Sequence, residues 1–236
     1  MKQDIQNTNL SNKPCPVCGS KNYFKTDVLW TELENEWQLS ADEIKYVNRQ
    51  QGFHCTGCTN NLRSMGLASA ILKEYKFLGT LSEFCEAQSD LRLLEINAAG
   101  NLTKILSKLQ THTLIEYPQF DMHNLAIESE SFDLVIHSDT LEHVTYPERA
   151  LSECRRLLRN NGKCIFTVPI IVGRMSRSRA GLMPSYHGRT GVLAADQVVC
   201  TEFGADVWQV VLKAGFSSCE IYCYEYPASL VIIARK

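Results

Sequence analysis

The stretch Arg92-Leu-Leu-Glu-Ile-Asn-Ala-Ala-Gly-Asn101 sets the fold. Apolar residues run into a carboxylate at Glu95, small residues follow, and helical spacing begins at Leu102–Leu109. A buried strand that ends this way and turns into a helix belongs to an α/β sheet, where ligands bind outside the carboxyl ends of parallel strands. Small side chains there let the backbone approach a ligand closely. Twenty-one residues beyond Glu95 stands Glu116, at the end of a second expected strand, Thr113–Tyr117. An acidic residue in that place suits the two hydroxyls of a ribose.

Outward from this unit, strands and helices alternate. Phe132–His137 reads as a buried strand, Pro147–Arg159 as a helix with proline in its first turn, and Lys163–Val168 as a strand. A helix is expected over Phe203–Ala214, then strands Glu220–Tyr224 and Ala228–Ala234, joined by a short turn and therefore antiparallel. The pattern predicts a mainly parallel, Rossmann-like sheet of seven strands, the last antiparallel, with helices on both faces.

Several further segments carry a family resemblance. They are Asp121-Met-His-Asn-Leu125, Ser131-Phe-Asp-Leu-Val-Ile-His137, Asp139-Thr-Leu-Glu-His-Val144, Arg156-Leu-Leu-Arg-Asn-Asn-Gly162, Phe166-Thr-Val-Pro169 and Ala214-Gly-Phe216. In this order the chain resembles the class I S-adenosylmethionine-dependent methyltransferases, in the small-molecule subgroup with an L-E-H-V box, over about residues 90–236. The family's glycine-rich turn stands here as Glu95-Ile-Asn-Ala-Ala-Gly-Asn101, with Asn97 and Ala99 replacing two glycines and Gly100 shifted by one. Asn tolerates positive φ better than most residues. A nicotinamide-binding Rossmann domain would instead want G-x-G-x-x-G, which is absent.

The resemblance implies a set of roles. Glu95 would orient the methionine amino group of S-adenosylmethionine, with backbone at Asn97, Ala98, Ala99 and Gly100 along its carboxylate and ribose. Glu116 and Asp121 would meet the ribose and adenine, and Met122 would cover the ring. His137, Ser138 and Asp139 would face the methionyl part and the acceptor. His143, and secondarily His187, are candidate bases; Asp139 joins them as a catalytic candidate. The segment Gly173–Gly191 carries Arg174, Arg177, Arg179 and Arg189 around Tyr186, with no acid, and reads as a lid suited to an anionic or sugar-containing acceptor.

Upstream, residues 1–12 are polar and expected to be disordered. Residues 13–60 hold two C-x-x-C knuckles, Cys15/Cys18 and Cys55/Cys58, separated by 36 residues. Four thiolates suit one closed, tetrahedral, structural zinc ion, and Gly19 and Gly57 would turn backbone N–H groups toward the sulfurs. Trp30, Trp37, Ile44 and Tyr46 are expected to give the insert a small core of its own. Residues 61–90 should be linking helix, with Leu62, Met65, Ile71, Leu72, Tyr75 and Leu78 on one face. Residues 91–236 are expected to form the methyltransferase domain that the resemblance implies. The six other cysteines read as packing residues.

Across 236 residues, 24 Lys+Arg against 26 Asp+Glu leave a net charge of −2, and neither half is basic. A nucleic-acid or anionic-membrane partner is therefore not expected. The N-terminus lacks the apolar core of a signal peptide, so a cytoplasmic location is expected. Two alternatives stay open beside a small-molecule methyltransferase: a degenerate binding protein whose zinc ribbon recruits a partner, and an RNA methyltransferase.

Overall fold

The computed structural model describes residues 13–186 and 197–236. Between the two knuckles run strand β1 (Tyr23–Lys25), helices α1 (Thr31–Glu36) and α2 (Ala41–Gly52), and strand β2 (Phe53–Cys55). Helices α3 (Leu62–Glu74) and α4 (Leu81–Ala87) lead to the main domain. There follow β3 (Leu93–Ile96), α5 (Thr103–Leu106), β4 (His112–Ile115), β5 (Phe132–Ser138), α6 (Pro147–Leu157) and β6 (Leu158–Thr167). The short strands β7 (Ile170–Ile171), β8 (Arg177–Ser178) and β9 (Thr201–Gly204) come next, then α7 (Trp208–Lys213), β10 (Ser218–Glu225) and β11 (Ser229–Arg235).

The main sheet runs β10-β11-β6-β5-β3-β4. The strands β6, β5, β3 and β4 are parallel, while β11 is antiparallel to β6 and to β10, as the hairpin expectation required. Alternation along the strands feeds two cores. Leu93, Leu134, Ile136, Ile165 and Ile233 meet α3, α4 and α5 on one face. Leu94, Val135, Phe166 and Ile232 meet α6 and α7 on the other.

Several boundaries differ from expectation. The sheet has six strands among the described residues, not seven. The chain from Glu116 to Ser131 passes as turns, so β4 is the edge. The linking helix breaks after Glu74, at Lys76 with φ 50°, and Leu78 is exposed rather than on the apolar face. Phe203 pairs with Ile170 in a small sheet, which delays the following helix to Trp208. Strand β6 starts at Leu158, five residues early.

Helix α3 is buried nearly all round, because it lies between the sheet and the cysteine module. Val17, Phe53 and Cys55 of the module share one core with Leu93 and Val231 of the sheet. The insert makes no separate core of the expected kind. Trp37 donates through Nε1 to Ser185 Oγ at 2.9 Å, and α2 is tied to β10 by the Arg49–Glu225 ion pair. The insert thus lies over the carboxyl ends of the sheet strands, where a site is expected.

Candidate functional site

At the tip of β3, Glu95 is fully buried. Its Oε1 accepts the Ala99 N–H at 2.8 Å and the Thr103 hydroxyl at 2.6 Å, and Oε2 meets His112 Nε2 at 2.7 Å. Glu95 is not among the residues that line the adjacent cavity, and its carboxylate braces the turn from beneath. The turn itself uses two left-handed residues, Asn97 (φ 57°) and Gly100 (φ 63°). Asn97 meets the need that a glycine meets elsewhere, and its side chain is occupied: Oδ1 accepts the Tyr117 N–H at 3.0 Å. Neither Asn97 nor the buried Ala99 plugs the space beyond.

That space is a cavity of about 620 Å³, lined by Asn97, Ala98, Glu116, Asp121, Met122, Asp139 and His143 among others. Glu116 is exposed at the end of β4 and points no carboxylate into any recorded hydrogen bond among the described residues. Asp121 closes a turn: its Oδ1 accepts from the His123 N–H at 2.8 Å and meets His123 Nδ1 at 2.7 Å, which holds its carboxyl below the usual range. Met122 is buried. His143 Nδ1 lies 3.0 Å from the Val198 carbonyl; a carbonyl only accepts, so Nδ1 carries the proton. Nε2 lies 3.7 Å from Oε1 of Glu142, whose pKa burial raises.

Asp139 and Ala98 line a second chamber of about 500 Å³ as well as the first. Asp139 takes a left-handed backbone (φ 46°), and its Oδ2 pairs with the Arg63 guanidinium and accepts from Gln51 Nε2 at 3.0 Å. Ser138 lines this second chamber rather than the first, with its hydroxyl on Thr167 Oγ1 at 2.8 Å. His137 faces neither chamber. It stacks on Phe166 in the core, where burial pulls its pKa down to about 3.

Among the described residues, the arginines of the segment are engaged within the chain. Arg174 spends its guanidinium on Glu43 and on the Trp37 and Gln38 carbonyls. Arg177 and Arg179 share Glu202. The segment holds no acid, but remote parts of the chain supply two. Tyr186 is half-buried and bridges Val198 outside both chambers. His187 and Arg189 lie outside the described residues. Arg63, Gln51, Trp30 and Trp37 were not expected at the site. The signal for Arg63 was a lone charge in the apolar run Leu62–Leu72.

In the cysteine module the four sulfurs converge. Cys15 and Cys58 lie 3.7 Å apart and Cys18 and Cys55 3.6 Å. Four thiolates at the zinc–sulfur bond length stand about 3.8 Å apart along each tetrahedral edge, so the donor set fits that ion. Gly19 is left-handed as expected (φ 79°), whereas in the second knuckle Thr59 takes that role (φ 57°). Gly57 serves by size: a Cβ there would come 3.2 Å from Cys18 Sγ and 2.9 Å from Ser20 Cβ. His54 is outside the cluster and stacks on Phe24.

Residues 78–166 match a protein-family model described as a methyltransferase domain. The chain is 35% identical over 143 residues to a ubiquinone biosynthesis O-methyltransferase from Nitrosococcus oceani, which covers 58% of this chain and 56% of that protein. It is 30% identical over 122 residues to a malonyl-[acyl-carrier protein] O-methyltransferase from Paenibacillus sp., covering 47% and 40%. The chain thus spans about half the length of the curated relatives it matches. A solved structure, the Burkholderia thailandensis 1,6-didemethyltoxoflavin-N1-methyltransferase, is similar over 91% of this chain and 94% of its own, at 12% identity and a TM-score of 0.44. No described helix is long and apolar enough to cross a membrane.

If Glu95 braces the turn, Glu95→Ala strands three buried or half-buried partners. The expected cost is roughly 3–5 kcal/mol, read as a lower urea midpoint at unchanged slope. Wild-type stability in this variant contradicts the bracing role.

Proposed function

We propose that this chain transfers a methyl group from S-adenosylmethionine to an oxygen of a small acceptor, and that its four cysteines hold one structural zinc ion. The observation that carries the first part is the pair of chambers meeting at Ala98 and Asp139. One is of nucleoside size and lies beside the turn after β3, with Glu116 and Asp121 on its wall. Glu116 there is free to bind both ribose hydroxyls, and Met122 gives the adenine an apolar surface. The names of the curated relatives support oxygen as the atom methylated. When bound, S-adenosylmethionine supplies a methyl carbon on a positively charged sulfur, open to in-line attack.

The residues then do the rest. The walls exclude water and align the acceptor, which by itself contributes much of such a rate enhancement. Asp139 is the only carboxylate that borders both chambers among the described residues, and its Oδ2 is fixed by Arg63 and Gln51. It is the group placed to receive the acceptor proton. His143 borders the cofactor chamber alone, and its protonated Nδ1 is held by a carbonyl. Its role is to shape that chamber. The chamber walls do not support the anionic-acceptor reading, since Arg174, Arg177 and Arg179 line neither chamber and are engaged by Glu43 and Glu202.

The zinc ion would close the base of the insert. Metal binding supplies folding energy that a module this small lacks, and four thiolates suit a reducing compartment.

Isothermal titration with S-adenosylhomocysteine should give one site per chain, with affinity reduced about tenfold in Glu116→Ala, in line with roughly 1.5–3 kcal/mol for a hydrogen bond to a charged group. An absence of binding heat at millimolar ligand would remove the proposed activity. Metal analysis should find one zinc per chain, lost in Cys15→Ser. A metal-free chain with native stability would refute the zinc assignment.

A further inference from the structure

The chamber on the far side of Asp139 has the chemistry of a specific ligand site. Its roof is the insert between the knuckles: Val28, Leu29, Trp30, Leu33, Trp37 and Val47. Its floor is the sheet side, with Ala98, Ser138 and Asp139. At about 500 Å³ it takes a ring with substituents.

Charge is the first discriminator. Among the described residues lining the chamber, Arg63 and Asp139 are the charged ones, and they pair with each other. The chamber therefore has no net charge to offer an ion. A charged acceptor would have to desolvate without a counterion, and that is costly in a largely apolar space.

Polar satisfaction is the second. Asp139 Oδ1 and Arg63 Nε are both buried without a hydrogen-bond partner. Buried polar atoms are almost always paired, so each orphan needs an explanation. One is an acceptor and the other a donor, four covalent bonds or fewer from the same ion pair. A hydroxyl, with one O–H donor and an oxygen that accepts, is the chemical complement of that pair. Two amides line the chamber, Gln50 and Gln51, and Gln51 is already spent on Asp139, Asn61 and Arg63. Ser138 is spent on Thr167. A polyhydroxylated ring would leave most of its hydroxyls against indole and aliphatic walls.

The geometry points to an uncharged phenol-type acceptor: an apolar ring under Trp30 and Trp37, with the reacting hydroxyl on Asp139 and Arg63. This rests on the proposed methyl transfer and names the substrate class of that site. It also makes the insert of the cysteine module the element that selects the acceptor. As the hydroxyl oxygen bonds to the methyl carbon, its proton passes to Asp139 Oδ1 and the carbon–sulfur electron pair stays on sulfur. The products are an aryl methyl ether, a carboxylic acid at Asp139 and a neutral thioether.

Saturation-transfer NMR on the full chain, saturated with S-adenosylhomocysteine, tests this with three probes: catechol, para-hydroxybenzoate and methyl glucoside. Catechol should bind at least tenfold tighter than either of the others. Trp30→Ala should weaken catechol about tenfold while leaving the affinity for S-adenosylhomocysteine within twofold, which also shows that the variant is folded. Asp139→Asn should reverse the charge preference, since Arg63 is then unbalanced and para-hydroxybenzoate becomes the tighter ligand. Tighter binding of the carboxylate or the glucoside to the wild-type chain would overturn the proposal. So would catechol binding that is indifferent to Trp30. A chain that binds S-adenosylhomocysteine but none of the probes refutes this inference alone. A chain that binds catechol but not S-adenosylhomocysteine refutes the methyl-transfer reading instead.

Discussion

A buried carboxylate organises everything near the site. Glu95 gathers a backbone N–H, a hydroxyl and an imidazole at the end of β3. Those three bonds pin the start of the following helix and the neighbouring strand to one point. With the turn held from beneath, Asn97 adopts a left-handed backbone and its side-chain carbonyl accepts the Tyr117 N–H at the cavity wall. A side chain that would block a glycine-lined turn is in this way made part of its frame. The cavity stays open because the carboxylate is used for structure. Burying an anion is costly. Three converging partners offset that cost, and the resulting rigidity is what a binding loop requires.

A second level of order joins the cysteine module to the sheet. Helix α3 serves both cores, so the module cannot move without disturbing the central packing. Two guanidinium groups then fasten the insert. Arg174 reaches Glu43 and two carbonyls at the entry to α2, and Arg49 reaches Glu225. Partly buried, bidentate pairs of this kind are worth more than surface ion pairs. They put the two tryptophans of the insert opposite Asp139, at the boundary between the chambers. A module that reads as a zinc ribbon is thus half of a ligand chamber.

Much of this was legible in the sequence. Apolar runs such as Phe132–His137 gave the parallel strands because such strands are buried on both faces. The Asn97 turn, the acidic end of β4 and the final hairpin were visible in residue type and spacing. What escaped was pairing across long separations. Arg63 and Asp139 are 76 residues apart in sequence, and Arg174 and Glu43 are 131 apart. No local pattern announces such a pair, so a run of arginines without acids read as a cationic lid. The bracing by Glu95 was hidden for a related reason. Its three partners come from the turn, α5 and β4, and only their convergence shows the carboxylate bracing the turn. Between Glu116 and Ser131 the chain passes as turns that send Met122 and Leu125 into the core, and no seventh strand joins the sheet among the described residues.

The most direct test is a crystal structure with S-adenosylhomocysteine. The account places the ribose on Glu116, the sulfur facing Ala98 and Asp139, and Glu95 still bonded to Ala99, Thr103 and His112. A nucleoside bound elsewhere, or a Glu95 carboxylate swung out to hold the ligand amino group, would contradict it.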